Sequence, residues 1–346
     1  MLRVRALKQS FIYPKIHTYK WHLNSFSISG KLSFILVAGG FEESFDHGID
    51  TYTASVEAFT GDMGKKNFPD MPQNFLCTSV FIHNGTITSV GSILDTLMTT
   101  STCIQLDNGT WKQSGNTNEE RTSSVTVTTR SATFLFGGES SGNTYEYLPK
   151  DSSTWLVDKT EIPGAIDYSN CCAIAVKSEQ EIWQIGGSNN RKRILSFNVH
   201  DHTFKELPYR LNIERRSHMC ALIPNTNKIM ITGGFNEKDN RLDSTEILDP
   251  YTGSVTIASP MNTKRSFHGM GVITLYDEEK LAVFGGTSFT IGKDSSMKYL
   301  DCVEVYNDQT GLWDTTDIKL NKPNMEFSCL HIKLKEIVSK LKSSKY

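Results

Sequence analysis

The sequence has no apolar run approaching the ~20 residues that a membrane-spanning helix requires. The longest candidate, residues 34–41, contains Gly39 and Gly40 and reads as a strand. It has no charge excess either. Lys and Arg number 36 against 38 Asp and Glu, a net charge of −2, which argues against bulk affinity for nucleic acid. There is no Cys-x-x-Cys pair. The seven cysteines are scattered, with only Cys171 and Cys172 adjacent, a pattern of neither a disulfide framework nor a zinc site. That usage points to a reducing, cytoplasmic compartment. Gly-x-Ser-x-Gly, His-Glu-x-x-His and phosphate-loop motifs are all missing, so the sequence names no catalytic residue, no cofactor and no metal. Asp and Glu are absent from residues 1–41, where Arg3, Arg5, Lys8, Lys15 and Lys20 fall. That composition suits a transit segment or a linker, and residues 1–31 are expected to be a poorly ordered extension. Residues 335–346 form a basic tail.

What is present is a repeat. Six hydrophobic segments end in a Gly-Gly pair or its remnant: Gly39-Gly40, Gly91-Ser92, Gly137-Gly138, Gly186-Gly187, Gly233-Gly234 and Gly285-Gly286, between 46 and 52 residues apart. Such a period marks a repeat architecture. A second strand precedes each pair from the second onwards, and a Glu-x-hydrophobic strand follows at Glu57, Glu146, Glu246 and Glu304. A further column holds Trp111, Trp155, Phe204, Val255 and Trp313. Each period thus supplies four short strands. Two Asn-Gly-Thr sequons, at Asn84 and Asn108, fall where hairpins are expected and match the preferred type I′ turn.

The glycine pairs followed by a late Trp resemble the kelch repeat over residues 32–334. The resemblance implies an all-β, six-bladed β-propeller of four-stranded antiparallel blades. Only five inner strands precede the glycine strands that need them. The sixth is found at residues 326–333, so the C-terminal strand is expected to complete blade 1 and close the ring, with residues 21–29 as the rival inner strand.

The resemblance also implies a non-enzymatic protein-interaction module that captures a peptide or protein surface on one loop face. Many such propellers follow BTB and BACK domains and select substrates for a cullin-based ubiquitin ligase. Only about 30 residues precede the first blade here, too few for such a module. The alternatives are an actin-associated structural protein, and an enzyme or small-ligand binder using the central channel. On the loop face, basic residues gather on blades 3 to 6: Arg121, Arg191, Lys192, Arg193, Arg215, Arg216, Lys264 and Arg265. They form a candidate site for an acidic or phosphorylated segment, since Arg clamps carboxylates through two donors. The competing reading has Arg215 and Arg265 pairing with neighbouring acids such as Glu214. His218 and His268 share a column with Ser124, Cys171 and, by alignment, Cys77 and Cys329. That column is expected to face the channel as filler rather than to bind metal. No nucleic-acid or membrane partner is expected, and the oligomeric state is open.

Overall fold

The computed structural model describes residues 33–42, 51–59, 65–75, 77–94, 98–138, 143–163, 171–188, 191–238, 240–289 and 297–333. The terminal segments, residues 1–31 and 335–346, and the acidic stretch 43–50 lie outside them.

Six four-stranded antiparallel sheets stand in a ring. Alternating side chains bury both faces of each sheet, which only a neighbour on either side can cover. In blade 5 the strands run Met219–Leu222, Ile229–Thr232, Thr245–Leu248 and Val255–Ala258, from the channel outwards. The other blades repeat this order. Blade 1 is composite: Ser328–Lys333 is its inner strand, paired antiparallel with Ser33–Ala38 from Ser33 opposite Lys333 to Ala38 opposite Ser328. The expected closure is therefore the observed one.

The core lies between blades. Each aromatic of the outer-strand column leans on the preceding blade. Trp111 packs with Leu36 and Ala58 of blade 1, and its indole N–H donates to the Pro69 carbonyl at 2.8 Å. Trp155 meets Phe81 of blade 2 edge-on at 5.9 Å. Trp313 packs on Met230 and Met261 of blade 5. Burying such rings contributes roughly 1.5–3 kcal/mol each.

Inner strands start later than the hydrophobic pattern suggests. Cys77, Ser123, Ser217, Phe267 and Glu326 hold left-handed φ of 51–55°, which ends extended geometry just before each strand. Their backbones link around the channel mouth: Cys77 N donates to Glu326 O at 3.2 Å, Ser123 N to Cys77 O at 3.3 Å, Phe267 N to Ser217 O at 3.0 Å and Glu326 N to Phe267 O at 3.1 Å. At the opposite face Asn84-Gly85 and Asn108-Gly109 have positive φ at both residues, as type I′ turns require.

One expectation is corrected. Cys172 and Cys220, from the inner strands of blades 4 and 5, form a disulfide with Cα atoms 5.9 Å apart. A separation of 48 residues gives no local spacing signal, but equals one blade period.

Candidate functional site

The loop face is built by two sets of connections: those after the glycine strands and those entering the inner strands. Three of the latter carry the same unit, Asn-x-x-Arg, as Asn118 to Arg121, Asn212 to Arg215 and Asn262 to Arg265. In each, the Arg side chain is fully buried and paired with the Glu of the third strand of the same blade. Arg121 Nε lies 3.1 Å from Glu146, Arg215 Nη2 2.9 Å from Glu246 and Arg265 Nη2 2.6 Å from Glu304. Each Glu also accepts two backbone N–H groups of the unit: from Asn118 and Glu119, Asn212 and Ile213, or Asn262 and Thr263. The Arg Nη1 donates to the carbonyl of the first glycine of its own blade, Gly137, Gly233 or Gly285, at 2.7–2.9 Å. Burial pulls Arg215 below the usual guanidinium range, and the Glu246 charge opposes that shift.

This geometry corrects the reading of Arg121, Arg215 and Arg265 as partner-facing. They are interior ion pairs, and the acid that holds Arg215 is Glu246, on the blade's own third strand, rather than the adjacent Glu214. The glycine pair explains why the loop must run so deep. The backbone carbonyl of Arg265, entering blade 6, accepts the Gly234 N–H of blade 5 at 2.9 Å. A Cβ on Gly233, whose φ is +61°, would sit 2.4 Å from that oxygen. The arginine thus joins two blades, by its side chain to its own and by its backbone to the one before. Blade 1 uses Asn324 instead, its Nδ2 donating to Gly39 O at 3.0 Å and its Oδ1 accepting from Phe41 N at 2.9 Å.

The remaining basic positions divide. Arg193 is mostly buried, its Nε 3.1 Å from Glu206 and its Nη2 donating to Pro163 O. Arg191 is half-buried and donates from Nη1 to Asn236 O of the neighbouring blade. Lys192 is half-buried and Lys264 exposed. Arg216 follows the buried Arg215 and turns the other way. Its guanidinium carbon lies 4.9 Å from the centre of the Phe235 ring, and that of Arg241 lies at the same distance. Arg241 also donates from Nε to Thr287 Oγ1 at 3.1 Å. Phe267 meets Phe235 edge-on at 5.5 Å, beside the channel mouth. Phe235 and Arg241 are missing from the sequence-based site. The available signal was an aromatic directly after Gly234 in a long loop that carries one arginine.

Beside this cluster the loops of blades 6 and 1 rise as short antiparallel pairs. Thr287–Phe289 pairs with Met297–Tyr299, and Phe41-Glu42 pairs with Thr51-Tyr52 and Asn324-Met325. Phe41 packs on Tyr52 and Tyr299 at 5.4 and 6.1 Å. Within this wall Glu42 is buried and pairs with Lys322 at 2.9 Å.

Below the face runs a channel of about 1050 Å³ lined by the six inner strands. The column lines this channel, as expected: Cys77, Ser124, Cys171, His218, His268 and Cys329 all border it. His218 and His268 are buried at blade seams, where Cβ atoms on Gly186 and Gly233 would lie 2.7 and 2.9 Å from their Cε1 atoms. Strand register also moves two members of the column. Ser79 opposes Val90 and Ser328 opposes Ala38, so Thr78 and Phe327 replace Cys77 and Cys329. Among the described residues no group of three or more His, Cys, Asp or Glu side chains could hold a metal ion. Burial, then the nearby Arg215 charge, pushes His218 down to about 3.

These blades define a class of protein, the six-bladed β-propeller with kelch-type glycine pairs. Comparison with known families matches the kelch motif to residues 216–262, one period of the ring that spans blade 5. Among solved structures, that of YjhT is similar with a TM-score of 0.62, covering 75% of this chain and 88% of that one at 15% identity. At that identity the likeness concerns the fold. No curated protein matches the chain.

Proposed function

We propose that the protein is a non-catalytic interaction module that holds an acidic or phosphorylated segment on the loop face of blades 4 to 6. The observation that carries this reading is the Arg216–Phe235–Arg241 cluster. Both guanidinium carbons lie 4.9 Å from the Phe235 ring centre, a cation–π arrangement, and guanidinium N–H donors suit carboxylate or phosphate oxygens. Phe235 keeps the two like charges together at a half-buried surface, where their field is stronger than in open water. Arg191, Lys192 and Lys264 extend the same basic area, and the paired loops of blades 6 and 1 bound it. The kelch propeller fold fits such a module. Substrate recognition in a ubiquitin ligase system is the finer reading the resemblance favours.

The test is binding of an array of acidic and phosphorylated peptides by the wild type and by R216E/R241E. The wild type should retain acidic sequences with an affinity that falls as salt rises. The double variant should lose them by at least about tenfold, the size of two charge-assisted contacts. Equal retention by both proteins would refute the reading.

A further inference from the structure

A propeller blade leaves one strand edge outward, and such edges invite pairing with another chain unless they are blunted by charge, proline, a bulge or shortness. Five of the six outer strands here are blunted. Blade 1 has Lys65 and Lys66 in its three-residue outer strand. Blade 2 has Lys112 and a bulge between Cys103 and Ile104 in the adjoining strand. Blade 3 ends in the three residues Leu156–Asp158. Blade 4 has Lys205, Glu206, Pro208 and Arg210, and a register shift between Arg193 and Leu195. Blade 6 has Asp314, Asp317 and Lys319, and a shift between Cys302 and Glu304.

Blade 5 has no charge, proline or bulge on this edge, and its outer strand is one residue longer than those of blades 1 and 3. Its outer strand Val255–Ala258 is Val-Thr-Ile-Ala, paired inward without a shift from Leu248 opposite Val255 to Thr245 opposite Ala258. No charged residue or proline falls between Gly253 and Ser259. Thr256 is exposed, Ile257 is 66% exposed, and Tyr251 in the preceding turn is 63% exposed. Among the described residues no strand pairs with its far edge.

We propose that this edge is a self-association surface whose occupant is the same edge of a second copy of the chain. A two-fold axis between Thr256 and Ile257 would set Thr256 of one copy opposite Ile257 of the other, and Val255 opposite Ala258. These are uncharged pairs in which β-branched side chains stack favourably across strands. The same operation on the outer strand of blade 6 sets Asp314 of one copy opposite Asp317 of the other, and proline or a register shift interrupts the edges of blades 4 and 2. Both strands are already formed in the folded blade, so pairing costs less ordering entropy than capture of a flexible peptide. The contact is short and the resulting dimer weak, forming as the protein is concentrated. It lies on the rim, away from the loop face, so its failure leaves the acidic-segment reading untouched.

Sedimentation velocity across the micromolar range tests it, using the full chain of 38.8 kDa. The wild type should move from the mass of one chain to that of two. T256K/I257K, which places Lys opposite Lys, should stay at one chain at every concentration, with an unchanged circular dichroism spectrum and melting midpoint because both positions are exposed. K205E, on the outer strand of blade 4, should still dimerise. Amide exchange at residues 255–258 should be slow in concentrated protein and fast on dilution. A wild type that remains one chain throughout, or a dimer that survives the double substitution, would overturn the proposal. So would exchange protection that does not change on dilution, which would assign the edge to another segment of the same chain.

Discussion

At the scale of single residues, neighbouring arginines do opposite work. Arg215 and Arg216 are adjacent, yet one is sealed beneath the loop and the other lies over Phe235. A buried pair that loses one partner leaves a charge with no compensation, at a cost of about 3–5 kcal/mol. Glu304→Gln and Arg265→Met should each lower unfolding stability by that amount in urea titrations, whereas Lys264→Ala should change it by less than about 0.5 kcal/mol. Equal, small effects at all three positions would show that the buried pairs do not hold the blades. His218 makes a second prediction. Its folded value is about 3 against an ordinary 6.5, so between these values the unfolded chain binds the extra proton. The stability gained from burying the neutral ring is full above pH 6.5 and is lost as pH falls towards 3. Melting midpoints should drop across that window, and H218Q should show a flatter profile.

At the scale of elements, two devices tie blades that the chain alone would leave loosely joined. One is the inner strand of blade 1. Removing residues 325–346 exposes the Ser33–Ala38 edge along its whole pairing, and the shortened protein should aggregate and lose its cooperative melt. A soluble, cooperatively melting product would exclude the clasp as a determinant of folding. The other is the Cys172–Cys220 bond. Closing a loop over 48 residues limits the unfolded chain by about 4 kcal/mol in the chain-entropy description. The denaturation midpoint should therefore fall in reducing buffer, and C172A/C220A should abolish the difference between the two conditions.

At the scale of the whole molecule, closure couples the two ends of the ring. Strand Ser328–Lys333 cannot leave without opening blade 1, and the backbone links around the channel mouth pass that strain to blades 2 and 6. A circular permutant that joins the present termini and begins at Asn321 makes blade 1 contiguous and removes this coupling. Its end blades should fray, giving faster unfolding in denaturant jumps than the wild type. An unchanged unfolding rate would place the barrier inside individual blades instead.

The sequence by itself determined the blade count, the four-strand period and the composite first blade, because glycine pairs and alternating apolar residues are local consequences of backbone geometry and burial. It also determined which loops face together, since antiparallel order allows one arrangement. It could not separate Arg215 from Arg216, because their difference is the direction each side chain takes once Glu246 and Gly233 stand beside it. Nor could it show Phe235 against two arginines, or Cys172 against Cys220, since these meetings join neighbouring loops or adjacent blades. The one-residue slip from Cys77 to Thr78 has the same origin. Alternation has a period of two, so where the loop before a strand takes a left-handed residue, only the hydrogen-bonded register decides which side chain faces the seam. The glycines marked every blade, while which basic side chains stay near the loop surface was decided by the packing around them.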